Sequence, residues 1–189
     1  MAAKRLSVVL VPIGDVDDET MAQASRGLVE HAPVRVTIHA RQALPSFAQT
    51  SEKARYRAGD LLRFLEKLAI AGNGKVMGVT DVDIVTPKNG VPNWGILGLG
   101  AMDGKVSVLS TYRMKRKFEG GGVSDAVARE RLWKISVHEL GHTLGLDHCP
   151  NKGCLMEDAH GTVKTVDAET TLCPRCTGLY ADAVGKLAE

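Results

Sequence analysis

The sequence predicts an α/β fold whose sheet is mostly parallel and includes one antiparallel strand. Apolar, valine-rich segments of strand length alternate with segments whose apolar residues recur at helical spacing. The first run is almost continuously apolar, which is typical of a strand buried on both faces of a parallel sheet. A later pair of strand-like segments meets at Asp103-Gly104, a dipeptide that favours a hairpin turn and therefore an antiparallel neighbour.

The first strand is predicted at Leu6–Pro12 and is followed by a helix over Asp17–His31. Pro33 ends this helix, and Val34–His39 alternates like a second strand. Basic residues precede the first strand as they would in a signal peptide. The apolar run is short, however, and it leads into an acidic stretch without a cleavage site, so a buried strand is the better interpretation.

The most regular helical pattern spans Ser51–Ala71, where the apolar residues form a single stripe. The stripe consists of Ala58, Leu61, Leu62, Leu65, Leu68 and Ala69. We expect Gly72-Asn73-Gly74 to stop this helix. Val76–Val85 is predicted as the third strand, and Trp94–Ala101 and Lys105–Thr111 as the two strands of the hairpin. The last predicted helix begins at Ser124 and runs to Gly145.

Length and composition limit the classes of protein. The 189 residues suit one domain, or one domain with a small appended lobe, and 44% hydrophobic against 24% charged residues excludes disorder. A net charge of +2 argues against nucleic acid or an acidic membrane as a partner, and no apolar run approaches the ~20 residues that span a bilayer. We expect a cytoplasmic protein in which the basic cluster Arg113–Lys117 is a solvated loop.

The last predicted helix contains an HExxH motif, formed by His138, Glu139 and His142. Residues four apart lie one turn apart on the same helical face, so both imidazoles can reach one metal ion. Glu139 is rotated by about 100° from His138, close enough to reach a metal-bound water without being a ligand. Gly145 can take a positive φ and reverse the chain, which brings His148 back as a third ligand. Three ligands with an open fourth position are typical of a catalytic zinc.

The four cysteines form a second candidate metal site. Four residues separate Cys149 from Cys154, two separate Cys173 from Cys176, and 18 lie between the pairs. Both spacings allow neighbouring thiolates to bind one tetrahedral ion, so we favour a structural zinc. A redox CxxC motif and unbound thiols are the alternatives. Since Cys149 directly follows His148, this site would also fix where the third histidine points.

The run HELGHTLGLDH, the Cys-x-Met triplet at Cys154 and the Cys-x-x-Cys pair resemble the archaemetzincins, a zinc-dependent branch of the metzincin peptidases. The resemblance covers residues 138–176. It implies a twisted, mixed five-stranded sheet with backing and active-site helices over residues 1–145. It also implies a small zinc-bound C-terminal lobe over residues 146–189, with Met156 in a turn beneath the catalytic metal.

The resemblance implies a zinc metallopeptidase that hydrolyses peptide bonds by a zinc-bound water activated by Glu139. Its cofactors would be two zinc ions per chain, one catalytic and one structural, and its partner a peptide or protein, bound by a monomer. The alternative is a catalytically weak or inactive zinc protein that acts as a peptide-binding or protein-binding module. His160 stands where some metzincins have a tyrosine. We expect an ordinary loop histidine there, with hydrogen bonding to a transition-state oxyanion, or adventitious binding of the metal, as the alternatives.

Overall fold

The computed structural model describes residues 5–52, 54–68, 70 and 74–187. The strands are β1 (Leu6–Ile13), β2 (Val34–Ile38), β3 (Arg55–Arg57), β4 (Lys75–Thr80), β5 (Asp83–Lys88), β6 (Val91–Ile96), β7 (Gly98–Gly100) and β8 (Val106–Ser110). The helices are α1 (Asp18–His31), α2 (Ala58–Lys67), α3 (Thr111–Met114), α4 (Asp125–Thr143), α5 (Val163–Ala168) and α6 (Pro174–Leu187). The predicted mixed α/β class is confirmed.

The main sheet has five strands in the order β2-β1-β4-β8-β7. All neighbours run parallel except β7, which pairs antiparallel with β8. The turn between these two strands contains Asp103 in a left-handed conformation, with φ of 47°, as an Asp-Gly hairpin turn favours. Since β7 lies last in the order, one of its edges has no strand beside it in the described sheet.

A second sheet of three strands, β3-β5-β6, was not predicted. The single strand expected at Val76–Val85 is wrong, because the chain bends at residues 81–82 and β5 leaves the main sheet. The buried Asp83 carboxylate at the start of β5 accepts hydrogen bonds from Arg55 (2.9 Å) and Arg113 (2.7 Å), which holds the new direction. Arg113 is therefore ion-paired in a short helix and does not belong to a solvated loop.

Two other predicted boundaries also need correction. Trp94–Ala101 divides at Leu97 between β6 of the small sheet and β7 of the main sheet. The helix predicted at Ser51–Ala71 begins only at Ala58, because the preceding residues pair with β5 as strand β3, and it ends at Lys67. The predicted glycine stop lies mostly outside the described residues, which omit 71–73.

The main sheet lies between two helical layers. Val8 and Leu10 of β1 point to the side of α1 and α4, whereas Val11 and Ile13 point to the side of α2. At Gly27 of α1, an added Cβ would overlap the Trp133 side chain, so α1 and α4 approach each other closely. The long helix α4 is therefore fixed against both the sheet and a second helix.

Beyond Gly145 the chain forms α5, α6 and the loops around them. Val166, Tyr180 and Val184 of these helices belong to the same buried cluster as the inner face of α4. The division into residues 1–145 and 146–189 stays a prediction. No helix in the described part of the chain is both long and apolar enough to cross a membrane.

Candidate metal centre and active site

The HExxH motif lies in helix α4, and capping residues fix both ends of this helix. Ser124 caps the N-terminus by accepting a hydrogen bond from the Val127 N–H. At the other end, Gly145 has φ of +85° and donates to the carbonyl of His142, while Leu146 donates to the carbonyl of Gly141. This pair of bonds is a Schellman motif, which reverses the chain and directs the next residues back toward the helix.

Three imidazoles meet beside this helix end. One ring nitrogen from each of His138, His142 and His148 lies within 4.8 Å of the other two. The Nε2 atoms of His138 and His142 are 3.0 Å apart. The structure thus brings together the three histidines that the sequence singled out.

The hydrogen bonds of the two helical histidines show which nitrogens face each other. The Nδ1 of His138 lies 2.6 Å from the carbonyl oxygen of Leu155, and the Nδ1 of His142 lies 2.8 Å from that of Leu146. A carbonyl oxygen can only accept, so both Nδ1 atoms carry hydrogen and both Nε2 atoms keep a lone pair. Two lone pairs at 3.0 Å repel unless a cation or a proton lies between them. The donor set therefore fits a metal ion.

Burial keeps these two rings neutral. It lowers the pKa of His138 to about 3, aided by the adjacent His142, and it also lowers the pKa of His142. Neutral imidazoles have the free lone pair that a metal requires.

Glu139 follows His138 in α4, but its side chain lies on a different face of the helix and points toward β7. Its carboxylate is buried against β7, where a Cβ on Gly98 would overlap it. Burial raises the pKa of Glu139 to about 8, although a hydrogen bond from the Gly100 backbone opposes that shift. Oε2 is buried without a hydrogen-bond partner among the described residues. A carboxyl group in this state can exchange a proton near neutral pH.

A cleft with a volume of about 300 Å³ opens over these groups. One wall is β7, and the floor includes His138, Glu139 and His142. Lys88 of β5 also lines the cleft, together with Asp158, Ala159 and Gly161 of the loop before α5. The imidazoles, the glutamate and the edge strand β7 therefore line one cleft.

Met156 is fully buried against α4. A Cβ on Gly141 would lie 2.5 Å from the Met156 sulfur, so the glycine between the two helical histidines makes room for this side chain. The neighbouring Leu155 carbonyl is the one that accepts from His138. Leu155 and Met156 therefore contact the helix turn that carries His138 and His142.

The four cysteines form a compact cluster, although Cys149 and Cys173 lie 24 positions apart in the sequence. All four Sγ atoms lie within 4.8 Å of one another, and those of Cys149 and Cys173 are 3.7 Å apart. The backbone N–H of Cys176 at the start of α6 lowers the pKa of Cys173 to about 6. All four are free thiols, and this arrangement fits a tetrahedral metal ion better than a disulfide pair.

Asp158 is a site residue that sequence reasoning missed. Its Oδ2 lies 3.8 Å from Nδ1 of His148, 3.1 Å from Nδ1 of His160 and 3.5 Å from Nζ of Lys88. Burial by itself would raise the pKa of Asp158, but the His160 N–H and the surrounding basic groups outweigh it and lower the pKa. Neither spacing nor motif marked this residue, because its partners come from three separate segments.

His160 does not face the cleft. Its side chain is exposed, its backbone has φ of 49°, and its ring pairs with Asp158. The cleft is lined by Ala159 and Gly161 on either side of it. This placement supports the interpretation of His160 as a loop histidine.

The protein is a zinc metallopeptidase, the class in which a helix with this motif presents two imidazoles and a glutamate to one cleft. The sequence pattern of Peptidase family M54 matches residues 30–181, and the chain belongs to that family. The archaemetzincin of Haloquadratum walsbyi is 37% identical over 177 residues, covering 91% of this chain and 98% of the relative. That of Natronomonas pharaonis is also 37% identical and covers 90% and 97%.

The fold agrees with solved structures of the same family. The archaemetzincin of Methanopyrus kandleri superimposes with a TM-score of 0.80 at 26% identity, covering 98% of each chain. The resemblance drawn from the motifs is therefore confirmed, and the substrates of the enzyme are peptides or proteins.

Proposed function

We propose that the three histidines hold the catalytic zinc, that Glu139 is the general base, and that the four cysteines hold a second, structural zinc. Nε2 of His138, Nε2 of His142 and a ring nitrogen of His148 are the proposed ligand atoms of the first ion. The observation that carries the proposal is the 3.0 Å approach of two lone-pair nitrogens beside a buried, partly unpaired glutamate.

A zinc ion held by these three histidines would supply Lewis acidity, which would polarise the scissile carbonyl and make a bound water more acidic. Glu139 accepts a proton from the attacking water on its carboxylate and returns it to the nitrogen of the leaving amine.

The substrate lies extended along the free edge of β7 and pairs with it as an added strand. This edge lines the cleft, and the glycines at 98 and 100 make room for the side chains of Glu139 and His142 beside it. The hairpin strand predicted at Trp94–Ala101 would offer a longer edge for such pairing. In the structure only Gly98–Gly100 belongs to the edge strand, so the proposed pairing is confined to this short segment.

The test combines zinc analysis with hydrolysis. Zinc per chain is measured on protein purified without chelators, for the parent and for His142→Ala. We expect two ions in the parent and one in the variant. Glu139→Gln should keep both ions and lose hydrolysis of a peptide library by about 1,000-fold, since general base catalysis contributes on the order of 10²–10⁴.

Glu30→Gln, an exposed change on α1, is the matched control and should leave both properties unaltered. If Glu139→Gln turns over peptides as fast as the parent, Glu139 is not the base. If neither protein cleaves any peptide although zinc is bound, the alternative of a peptide-binding module replaces the catalytic proposal.

A further inference from the structure

The three proposed histidine ligands are not held in the same way. His138 and His142 are buried, and a main-chain carbonyl fixes the Nδ1 of each ring. The side chain of His148 is 46% exposed, and no main-chain carbonyl binds its ring among the described residues. The chain reversal at Gly145 brings His148 to the other two, but it leaves the orientation of the third ring open.

One acidic group stands close to the unrestrained ring. Oδ2 of Asp158 is 3.8 Å from Nδ1 of His148, which is within ion-pair range and beyond hydrogen-bond distance. When His148 turns Nε2 toward the nitrogens of His138 and His142, its Nδ1 faces away from them. That places the Nδ1–H on the side where Asp158 lies.

Asp158 is itself held from two directions. Its Oδ1 accepts a 2.7 Å hydrogen bond from the backbone N–H of His160, within the same loop. Its Oδ2 contacts the His160 ring at 3.1 Å and Nζ of Lys88, on β5 of the small sheet, at 3.5 Å. A carboxylate anchored in this way can act as a fixed acceptor.

We propose that Asp158 is the positioning residue for the third zinc ligand: its Oδ2 accepts the Nδ1–H of His148 and so presents Nε2 to the metal. The two atoms must approach by about 1 Å to reach hydrogen-bond distance, which a small rotation of the exposed ring provides. Carboxylates behind metal-bound histidines fix the tautomer and raise the basicity of the ligand. Lys88 and His160 hold the carboxylate in place. This inference rests on the proposed three-histidine zinc site.

The test measures zinc affinity rather than turnover. Protein loaded with zinc is titrated with a chromophoric chelator, and the more weakly held ion, which we assign to the histidines, is followed. Asp158→Asn keeps the Oδ1 that accepts the His160 N–H but replaces Oδ2 by an amide donor. We expect about 10-fold weaker binding of this ion and an unchanged four-cysteine ion.

Asp167→Asn is the matched control, because Asp167 is also an ion-paired carboxylate in the C-terminal region, where it binds Arg131 away from the cleft. It should leave the affinity of the histidine ion at the parent value. Asp158→Glu restores a carboxylate and should recover part of the loss. The visible spectrum of cobalt(II) at the histidine site should differ between Asp158→Asn and the parent and not between Asp167→Asn and the parent.

The outcomes separate this inference from the proposed function. Equal zinc content in the parent and His142→Ala would remove the three-histidine site and the inference with it. A parent that binds this ion normally, with Asp158→Asn of unchanged affinity and spectrum, would overturn only the role of Asp158. Equal weakening of both ions in Asp158→Asn would also overturn it, because the residue would then support the lobe as a whole.

Discussion

At the scale of single residues, Gly98 has a function that depends on its missing side chain. A Cβ there would overlap the Glu139 carboxylate, so Gly98→Ala must displace the proposed base. We expect peptide hydrolysis to fall by about 100-fold, since a displacement of roughly 1 Å in a catalytic group has that effect. Zinc content should stay at the parent value, because Glu139 is not a proposed ligand. Steady-state kinetics and metal analysis check both expectations.

Gly59→Ala is the control for this change. Gly59 lies in α2 with open space around it, so the added methyl group should leave hydrolysis unchanged and stabilise the helix by about 0.5–1 kcal/mol. Full activity in Gly98→Ala would show that the Glu139 carboxylate works from a different position.

We expect the buried carboxyl group of Glu169 to make the free energy of unfolding depend on pH. Burial raises its pKa to about 8, with Glu157 adding to the rise and Lys134 opposing it, and both of its oxygens lack hydrogen-bond partners within the described ranges. In the unfolded chain this carboxyl ionises near the ordinary glutamate pKa of 4.5. The stability it contributes is fully present below pH 4.5 and is lost as the pH rises toward 8, because the unfolded state then binds fewer protons.

Glu169→Gln removes the ionisation and leaves any packing cost of the amide independent of pH. We therefore expect the free energy of unfolding of the variant, relative to the parent, to rise by about 2 kcal/mol between about pH 6 and pH 8. Urea denaturation of the zinc-loaded proteins at both pH values measures this difference. The exposed Glu66→Gln should show no such trend. A difference that stays constant with pH would mean that Glu169 is already ionised in the folded protein.

The residues that sequence reasoning found and missed differ in kind. His138, Glu139 and His142 could be predicted because one helical turn relates them, and four cysteines could be grouped by their spacing. Asp158 and Gly98 could not, since each matters through a contact with a residue distant in sequence. The spacing of residues within one helix or strand does not show which distant loop or strand will contact that element.

At the scale of elements, a buried lysine satisfies a carbonyl group at the C-terminal end of α4. Nζ of Lys75, at the start of β4, donates to the carbonyls of Thr143 (2.7 Å) and Gly104 (2.8 Å). The first of these carbonyls is in the last turn of α4 and has no partner within the helix. The second belongs to the turn that joins β7 to β8. Lys75 thus ties the active-site helix to the hairpin that carries the cleft edge.

Lys75→Met keeps the length of the side chain but leaves both carbonyls without this donor. We expect a loss of about 2 kcal/mol in the free energy of unfolding, measured by urea denaturation. The exposed Lys186→Met in α6 should change it by no more than about 0.5 kcal/mol. Equal stability of the parent and Lys75→Met would indicate that water replaces the ammonium group at both carbonyls.

The five strands of the main sheet could be located from the sequence, but two of the boundaries could not. The predicted third strand contains β4 and the first half of β5 as one apolar stretch, and only the ion pairs of Asp83 reveal where the chain changes sheets. The predicted fourth strand likewise extends over β6 and β7. Periodicity identifies extended backbone, whereas the choice of a hydrogen-bonding partner depends on contacts between distant segments.

At the scale of the whole molecule, three consecutive residues link the two proposed metal sites. Cys154 belongs to the thiol cluster, the Leu155 carbonyl accepts from His138, and the Met156 carbonyl accepts a 2.6 Å bond from the N–H of Cys149. His148 directly precedes Cys149 in the chain. A disturbance of the thiol cluster should therefore reach the histidines, while the reverse is not required.

The predicted asymmetry can be measured with one pair of variants. Cys154→Ser should lose more than one zinc ion per chain and show a lower melting temperature, because metal binding and folding of this region are coupled. His142→Ala should lose only one ion and retain the thiol site. Metal analysis and thermal melts of both proteins provide the comparison. Loss of a single ion in Cys154→Ser, with hydrolysis intact, would show that the sites are independent.

The linked residues also bear on the order of events during synthesis. A nascent chain that has emerged from the ribosome as far as His142 carries two of the proposed histidine ligands and the glutamate. It still lacks His148 and the backbone segment around Leu155 that orients His138. The thiol cluster that holds this segment is complete only when Cys176 has emerged. On the proposed arrangement, the growing polypeptide therefore has no functioning protease centre until the residues up to Cys176 have left the ribosome.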